Sequence, residues 1–205
     1  MVEQISGKGG TYYVRRKKNK WCNVAALFDT IEAIKDKPVI AEFEFRADNR
    51  WIDGGHNHTT ITDFYGVEEV HAHSKPFELD ADEPPLLLGT GKGPNPVEYA
   101  LTALAACVTT ALVYHAAAKG IEVRGVKSRL EGDLDLRGFL GLSKEVPVGY
   151  KQIRVYFTID ADISEEEKEE LIRMGQKYSP VFNTISNATP VSVQLDRTER
   201  KEAAA

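Results

Sequence analysis

The chain contains few cysteines: among its 205 residues only Cys22 and Cys107 are cysteine, and no CxxC pair occurs. Two cysteines cannot form the disulfide framework of a small secreted domain, so the composition favours a reducing compartment. No apolar signal segment follows Met1, and we therefore expect no export signal and a cytoplasmic location.

An excess of positive charge is absent as well. The chain has 26 Lys and Arg against 31 Asp and Glu, which gives a formal net charge of −5. A protein of this charge has no general affinity for nucleic acid or anionic membranes, so we expect neither as a partner. A local basic run, RRKKNK at 15–20, is typical of a solvated segment, with a nucleic-acid or phosphate patch as the alternative.

Nucleotide-binding motifs are missing too. The glycine-rich stretch GTGKGPNP at 89–96 has neither the GxxxxGK[ST] nor the GxGxxG spacing. With its four prolines and three glycines, the segment 79–96 is instead typical of a long loop. We expect no cofactor.

Charge is absent from the stretch around which the rest of the chain is organised. The segment 95–120 begins with Asn95, a good N-cap, and Pro96, which suits the first helical position; it ends at Gly120. Its central twenty residues carry no formal charge, so the helix must be covered on most sides. That length also spans a bilayer, but few large aliphatic residues and no flanking basic cluster favour a central core helix.

Hydrophobic periodicity predicts the remaining elements. The expected helices are 23–37, 164–178 and 179–187. The expected strands are 39–47, 58–66, 67–74, 122–136, 152–160 and 189–196, with a loop or bend at 138–150 and a loosely ordered start at 1–20. This order predicts an α+β protein with an antiparallel-rich sheet. It divides the chain into an N-terminal extension with one amphipathic helix (1–37), a main domain (38–197) and a solvated tail (198–205).

The thiol of Cys107 lies at the middle of the predicted central helix. A free cysteine is most often a small buried apolar residue, and a reactive thiol is the alternative. His115 follows two helical turns later, too far for a direct ion pair with Cys107, and we expect it in the core. The residues alone leave both readings of Cys107 open.

Four segments resemble one known family. They are NPVEYALTALAACVTTALVYHAAAKGI, LEGD, SEEE and SPVFNTI, in that order, and together they resemble the OsmC/Ohr family of thiol-dependent peroxidases. The resemblance covers roughly 39–195, and DEPPLLLGTGKGPNPVEYAL also resembles an OsmC-like branch. It implies an OsmC-like fold, in which antiparallel-rich sheets wrap around long central helices in an intertwined homodimer.

The resemblance also implies a chemistry. The reactive cysteine of the family corresponds to Cys107, which would attack a hydroperoxide and become a sulfenic acid. A mid-helix thiolate needs a cation from elsewhere, and Arg stays charged when desolvated. The family places an Arg on the early strand–turn region, where Arg46 and Arg50 are the candidates and Arg50 is favoured. Glu98 is the candidate orienting carboxylate, one place after the acidic position of the family, which is Val97 here.

Two positions depart from the family pattern. The resolving cysteine of the family corresponds to Ser179, which cannot form a disulfide, so a cycle would use Cys22 or an external thiol or dithiol. Related sequences tend to have Arg where this chain has His58. We expect a one-cysteine peroxidase that reduces organic hydroperoxides or hydrogen peroxide in oxidative-stress defence. The alternative is a non-catalytic OsmC-fold module that binds a hydrophobic small molecule.

Histidines occur in two pairs, His56 with His58 and His71 with His73. Residues two apart share one face of a strand, and a two-residue turn at Tyr65-Gly66 would set His58 opposite His73. A zinc or copper site at these four histidines is then geometrically feasible. Because the spacing matches no known zinc finger, we expect no metal and keep this cluster as the alternative.

Overall fold

The computed structural model describes residues 2–7, 10–15 and 23–196. Its strands are β1 (Val2–Gly7), β2 (Gly10–Arg15), β3 (Glu44–Phe45), β4 (Asp48–Asp53), β5 (His56–Gly66), β6 (Glu69–Ala81), β7 (Val123–Asp133) and β8 (Gln152–Ala161). Its helices are α1 (Val24–Asp36), α2 (Pro96–Ala118), α3 (Leu136–Phe139), α4 (Glu165–Tyr178) and α5 (Pro180–Ser186), with 3₁₀ turns at Pro38–Ala41 and Pro85–Leu87. All strand pairs are antiparallel within these residues, which confirms the α+β class.

Helix α2 confirms the predicted helix at 95–120 and begins with a capping box. The side-chain oxygen of Asn95 accepts a hydrogen bond from the backbone N–H of Val97 at 3.0 Å. The carboxylate of Glu98 accepts one from the backbone N–H of Asn95 at 2.8 Å. Pro96 occupies the first helical position, where its missing N–H costs nothing. These interactions are local, so the sequence alone predicts where α2 begins.

One face of α2 packs against the second half of the chain. Its buried residues recur every four positions, at Leu104, Val108, Leu112 and Ala116. The helix contacts α4, α5 and β7. Gly175 of α4 permits a close approach, because a Cβ added there would lie 3.0 Å from the Cβ of Leu112. Leu112 and Ala116 belong to a core completed by Val123, Ile159, Ala161 and Leu171.

The opposite face of α2, which includes Ala106 and Thr110, is exposed in the single chain. By length and composition α2 is also the one described helix that could cross a membrane, a test that core helices pass as well. Its buried stripe agrees with the predicted core position. The expectation that the helix is covered on most sides is not met within one chain.

A four-stranded antiparallel sheet precedes α2. Strand β5 is central, with β6 along one edge and β3 and β4 along the other. The hairpin between β5 and β6 turns at Val67 and Glu68, whose φ angles are 49° and 64°. The turn predicted at Tyr65-Gly66 is therefore wrong by two residues, because Gly66 pairs with Glu69 inside the ladder.

The strand predicted at 39–47 is also wrong over most of its length. Pro38 begins a 3₁₀ turn, and only Glu44 and Phe45 pair with β5. Strand β4 follows, although its sequence DNRWID lacks the alternation that would predict a strand. Strand β6 extends to Ala81, into the segment predicted as a loop.

Two further segments differ from the prediction. Residues 2–7 and 10–15 form the β1–β2 hairpin rather than a loosely ordered start. The segment 189–196, predicted as a strand, pairs with no described strand, and its apolar residues are exposed: Val191 82%, Val193 93% and Leu195 80%. Alternation alone predicts a strand, but a strand needs a neighbouring edge, and the single chain offers none there. The proposed domain boundaries remain predictions.

Candidate active site

Cys107 lies on α2 at the edge of its buried stripe. It is a free, half-buried cysteine, about 60° around the helix from Leu104, one turn earlier. Within the described part of the chain, no side chain forms a hydrogen bond or ion pair with its sulfur. The thiol is therefore not sealed in the core, and no cation of the described residues pairs with it.

An apolar cleft of about 380 Å³ opens on the same side of α2. It lies between α2, β8 and α5, and it is lined by Leu104, Tyr150, Ile153, Val155, Phe182, Ile185 and Ser186. Leu104, one helical turn before Cys107, lines this apolar space of small-ligand size, whereas Cys107 itself is not among the lining residues.

Arg46, one of the two predicted activators, is engaged on the first sheet. Its Nε donates to Glu44 at 2.8 Å and its Nη1 to Asp63 at 3.1 Å. The hydrogen bond and charge of Glu44 raise the pKa of Arg46, and Asp63 adds to the effect. The structure gives this guanidinium a role within the sheet and does not bring it to Cys107.

Arg50, the favoured activator, lies on β4 opposite His58 of β5, which in turn lies opposite Asp80 of β6. The positive charge of Arg50 helps to lower the pKa of Glu78, although the hydrogen bond from His58 is the larger cause. Arg50 therefore belongs to a polar row across the sheet. No hydrogen bond connects it to Cys107 among the described residues.

The polar row centres on a group that we call the His58 cluster: His56, His58, Glu78 and Asp80. The Nε2 of His56 lies 2.9 Å and the Nδ1 of His58 3.0 Å from the same Asp80 oxygen, and the Nε2 of His58 bonds Glu78. The hydrogen bond from His58 is the main cause that lowers the pKa of each carboxyl. The sequence wrongly predicts His73 as the partner of His58, because the partner of a strand residue depends on the distant turn and on irregularities in the ladder.

His71 and His73 lie elsewhere on the sheet, against aromatic rings. The ring of Phe64 is 5.2 Å from that of His71 and 5.6 Å from that of His73, and Phe77 is 4.8 Å from His73. The predicted opposition of His58 and His73 is wrong, because the shifted turn and a register shift between Ile61 and Asp63 together set His58 against Asp80. Among the described residues, no group of three or more His, Cys, Asp or Glu is arranged to hold a metal ion.

Glu98, the predicted orienting carboxylate, caps α2. Its carboxylate accepts the hydrogen bond from the backbone N–H of Asn95. Burial raises the pKa of Tyr150, and the negative charge of Glu98 adds to this effect. The hydroxyl of Tyr150 donates to the carbonyl of Val97 at 2.9 Å. Glu98 thus lies in the first turn of α2, near Tyr150 of the cleft. It does not lie beside Cys107, which follows about two and a half turns later.

The glycine-rich loop before α2 surrounds an anion that belongs to the protein. Asp82 is almost fully buried, and its carboxylate accepts hydrogen bonds from the backbone N–H groups of Glu83, Thr90 and Lys92 and from the Thr90 hydroxyl. These bonds, the Thr90 hydroxyl first, lower the pKa of Asp82 far below its usual range. Because these backbone N–H groups already donate to Asp82, they are not available to bind a nucleotide phosphate.

Comparison with known proteins places this site in a family. A family model described as OsmC-like protein matches residues 89–194, which is more than half of the chain. The chain belongs to the OsmC-like family. The match includes α2, Cys107 and the elements around the cleft.

Solved structures with the same fold agree. The OsmC-like protein from Mycoplasma pneumoniae has a TM-score of 0.54 and 21% identity over 70% of this chain and 87% of its own. An OsmC-like protein from Vibrio cholerae has a TM-score of 0.53 and 11% identity over 68% of this chain and 92% of its own. At these identities the likeness shows the OsmC-like fold alone. No curated protein matches the chain significantly.

Ser179 occupies the position where the family resemblance implies the resolving cysteine. Its side chain is fully buried, and its hydroxyl oxygen accepts a hydrogen bond from the backbone N–H of Phe182 at 3.1 Å, which caps α5. In this OsmC-like protein the position therefore serves the fold. Cys22, the other predicted thiol of the cycle, lies outside the described residues.

Proposed function

We propose that this OsmC-like protein is a cytoplasmic thiol-dependent peroxidase that reduces organic hydroperoxides or hydrogen peroxide. The observation that carries the proposal is the half-buried free thiol of Cys107, one helical turn from Leu104, which lines an apolar cleft. A cleft of about 380 Å³ suits the organic part of a hydroperoxide. The resemblance to the OsmC/Ohr peroxidases adds support, since its reactive cysteine corresponds to Cys107.

The proposed reaction uses one cysteine of the protein. The Cys107 thiolate attacks the terminal oxygen of the hydroperoxide, the O–O bond breaks, and the alcohol leaves after taking up a proton. The sulfenic acid then reacts with an external thiol, which forms a mixed disulfide and releases water. A second thiol regenerates the Cys107 thiolate and leaves as a disulfide. Ser179 has no sulfur to form a disulfide at the family's resolving position, and we propose an external thiol rather than Cys22 as the reductant.

Attack by a thiolate at neutral pH is favoured by a nearby cation, and none pairs with Cys107 within 2–7, 10–15 and 23–196. We propose that a second copy of the protein completes the site in a homodimer and that Arg50 is the cation. Arg46 is the weaker candidate because Glu44 and Asp63 already bind it. The exposed face of α2 around Ala106 and the exposed apolar segment 189–196 support this arrangement, since both leave surface for a partner.

The direct test is the reaction of the reduced protein with one equivalent of cumene hydroperoxide, followed by mass spectrometry of the peptides. We expect one added oxygen on Cys107, or a mixed disulfide there if a thiol is present. The Cys107→Ser variant should consume no peroxide, whereas the Cys22→Ser variant should react like the wild type. An unmodified Cys107 after exposure to stoichiometric peroxide would contradict the proposal.

A second candidate function is non-catalytic binding of a hydrophobic small molecule in the cleft. It is favoured by the fact that the lining residues do not include Cys107. The two functions differ in their dependence on the thiol. Because Cys107 does not line the cleft, a fluorescent fatty acid should bind the wild type and the Cys107→Ser variant equally. Peroxide consumption by the wild type is then the measurement that separates the two functions. Binding by a protein that does not consume peroxide would support the binding module alone.

A further inference from the structure

Both ring nitrogens of His58 face carboxylates. Its Nδ1 lies 3.0 Å from the Oδ1 of Asp80, and its Nε2 bonds the Oε2 of Glu78. The side chain is only 17% exposed. The other described histidines of the sheet differ: His71, for example, has one short polar contact, from its Nε2 to the carbonyl of Gly66 at 3.0 Å.

The hydrogen bonds of His58 determine how many protons its imidazole ring carries. A neutral imidazole carries a single N–H, whereas an ionised carboxylate only accepts hydrogen bonds. A neutral His58 would therefore turn a lone pair toward the oxygen of Glu78 or Asp80. Donors at both nitrogens require the imidazolium form.

Protonation of a carboxyl instead of the imidazole is disfavoured by the other groups around it. The Oδ1 of Asp80 also receives His56 Nε2 at 2.9 Å, and the Oε2 of Glu78 also receives the hydroxyl of Thr60 at 3.1 Å. Arg50 of β4 adds a positive charge that lowers the pKa of Glu78. The carboxylates therefore stay ionised, and the proton belongs to His58.

The cluster also supports the start of α2. The hydroxyl of Tyr99 donates to the backbone carbonyl of Asp80 at 2.7 Å. Gly93 approaches the same carbonyl so closely that an added Cβ would lie 2.2 Å from its oxygen. Asp80 is thus the residue at which the segment leading into α2 meets the sheet, and the hydrogen bond from His58 holds its side chain.

We infer that His58 is held as an imidazolium at neutral pH and forms a proton-dependent latch that joins β5 to β6 beneath the start of α2. The groups that face it are Glu78 and Asp80 from β6, Arg50 from β4 and His56 from its own strand, with Asp53 3.8 Å beyond His56. Loss of the proton removes one hydrogen bond and leaves two carboxylates with Arg50 as their remaining cation. This latch operates whether or not Cys107 reduces peroxides.

The pH dependence follows from the direction of the pKa shift. The hydrogen bonds to Asp80, then to Glu78, raise the pKa of His58 above its ordinary value. The folded state therefore binds this proton more tightly than the unfolded state does. The stability from the latch is complete below about pH 6.5, the unfolded value, and is lost as the pH rises through the higher folded value.

Nuclear magnetic resonance of the full chain labelled with ¹⁵N-histidine tests the inference directly. At pH 7 we expect both ring nitrogens of His58 to carry protons, with a titration midpoint above the ordinary value of about 6.5. His58→Gln assigns the signal. In the double variant Glu78→Gln, Asp80→Asn the midpoint should fall to about 6.5 or below. A single neutral tautomer of wild-type His58 at pH 7, in a protein whose spectrum is that of the folded chain, overturns the inference.

Amide hydrogen exchange tests the latch itself. The amides of 57–60 and 78–81 span the ladder that the cluster bridges. Wild type and His58→Gln are compared at each pH, so that the intrinsic exchange rate cancels. We expect about fivefold greater protection in the wild type at pH 6 and a ratio that approaches one above the His58 midpoint. A ratio that does not change with pH would mean that His58 is no latch, even if it is charged.

Discussion

The two halves of this protein differ in how they are stabilised. The second half buries a continuous apolar core between α2, α4, β7 and β8, in which Leu112 and Leu171 have no exposed surface. The first sheet contains no comparable core within the described residues, and Phe45 on β3 is 77% exposed. We call the second half the closed half because it has this apolar core, although the outer face of α2 around Ala106 is exposed. We call the first sheet the open sheet because it leaves aromatic side chains such as Phe45 exposed.

The two residues that we propose for the site, Cys107 and Arg50, lie in different halves. Cys107 belongs to the closed half and is placed by the packing of α2. Arg50 belongs to the open sheet and is placed by strand register. Variants in each half distinguish stabilisation within one chain from association between two copies.

The closed half should lose the most stability when its core is truncated. Leu112→Ala removes a fully buried side chain that lies against Gly175, and we expect the free energy of unfolding to fall by about 2–5 kcal/mol. Urea denaturation followed by circular dichroism measures the change. Leu140→Ala, at an exposed residue, is the matched control and should change it by less than about 0.5 kcal/mol. Equal effects of the two variants would show that the closed core is not what holds the protein together.

A smaller loss of folding stability is expected when Gly175 is replaced, at the point where α4 approaches α2. In Gly175→Ala the new Cβ would lie 3.0 Å from the Leu112 Cβ and from the Val108 carbonyl oxygen. Overpacking costs about 1–3 kcal/mol, and the better helix propensity of alanine returns about 1 kcal/mol. We expect a net loss of about 1 kcal/mol in the same denaturation experiment. Gly149→Ala, where an added Cβ meets no atom, should be close to neutral, and a stabilised Gly175→Ala protein would mean that the helices lie further apart.

The closed half is also the part that the sequence predicts best, because its signals are local. Asn95, Pro96 and Gly120 mark the ends of α2, and the helical period then places Cys107 beside the buried stripe. Ser164 likewise caps α4 with a capping box. No long-range pairing is needed for any of these inferences.

The open sheet is predicted poorly because its structure depends on register. The sequence signal for a tight turn is the glycine of Tyr65-Gly66, but the chain turns at Val67 and Glu68, neither of which is typical of a positive φ. The displaced turn moves the partner of His58 four positions along β6 from His73, and the register shift between Ile61 and Asp63 moves it three more, to Asp80. A periodicity argument identifies the strand residues and their common face, but the partner across the sheet requires the turn.

Replacement of Ser179 tests how much a single helix cap contributes to the stability of the closed half. Its hydroxyl caps α5 through the N–H of Phe182, so Ser179→Ala should lower the free energy of unfolding by about 1 kcal/mol. Thermal denaturation of this variant is compared with Ser192→Ala, at an exposed serine outside the helices. If both variants melt at the wild-type temperature, the buried serine is not a helix cap of consequence, and its place at the resolving position of the family has another reason.

The open sheet should show the smallest change in stability and the largest change in association. Phe45 is 77% exposed and stacks on Phe43 and Phe64 at 6.0 and 5.8 Å. Phe45→Ser should alter the unfolding of the single chain by no more than about 0.5 kcal/mol. If this sheet is covered by a second copy, however, the variant loses an apolar contact of the interface, and sedimentation should show a higher proportion of monomer.

Phe139→Ser is the matched control for that experiment, since Phe139 is 70% exposed but lies outside the first sheet. We expect its sedimentation to resemble that of the wild type. A Phe45→Ser protein that stays dimeric while losing stability as a monomer would instead place Phe45 in the core of its own chain. A wild type that is monomeric at all concentrations would leave Arg50 and Cys107 apart, which would contradict the proposal that Arg50 of a second copy activates the thiolate.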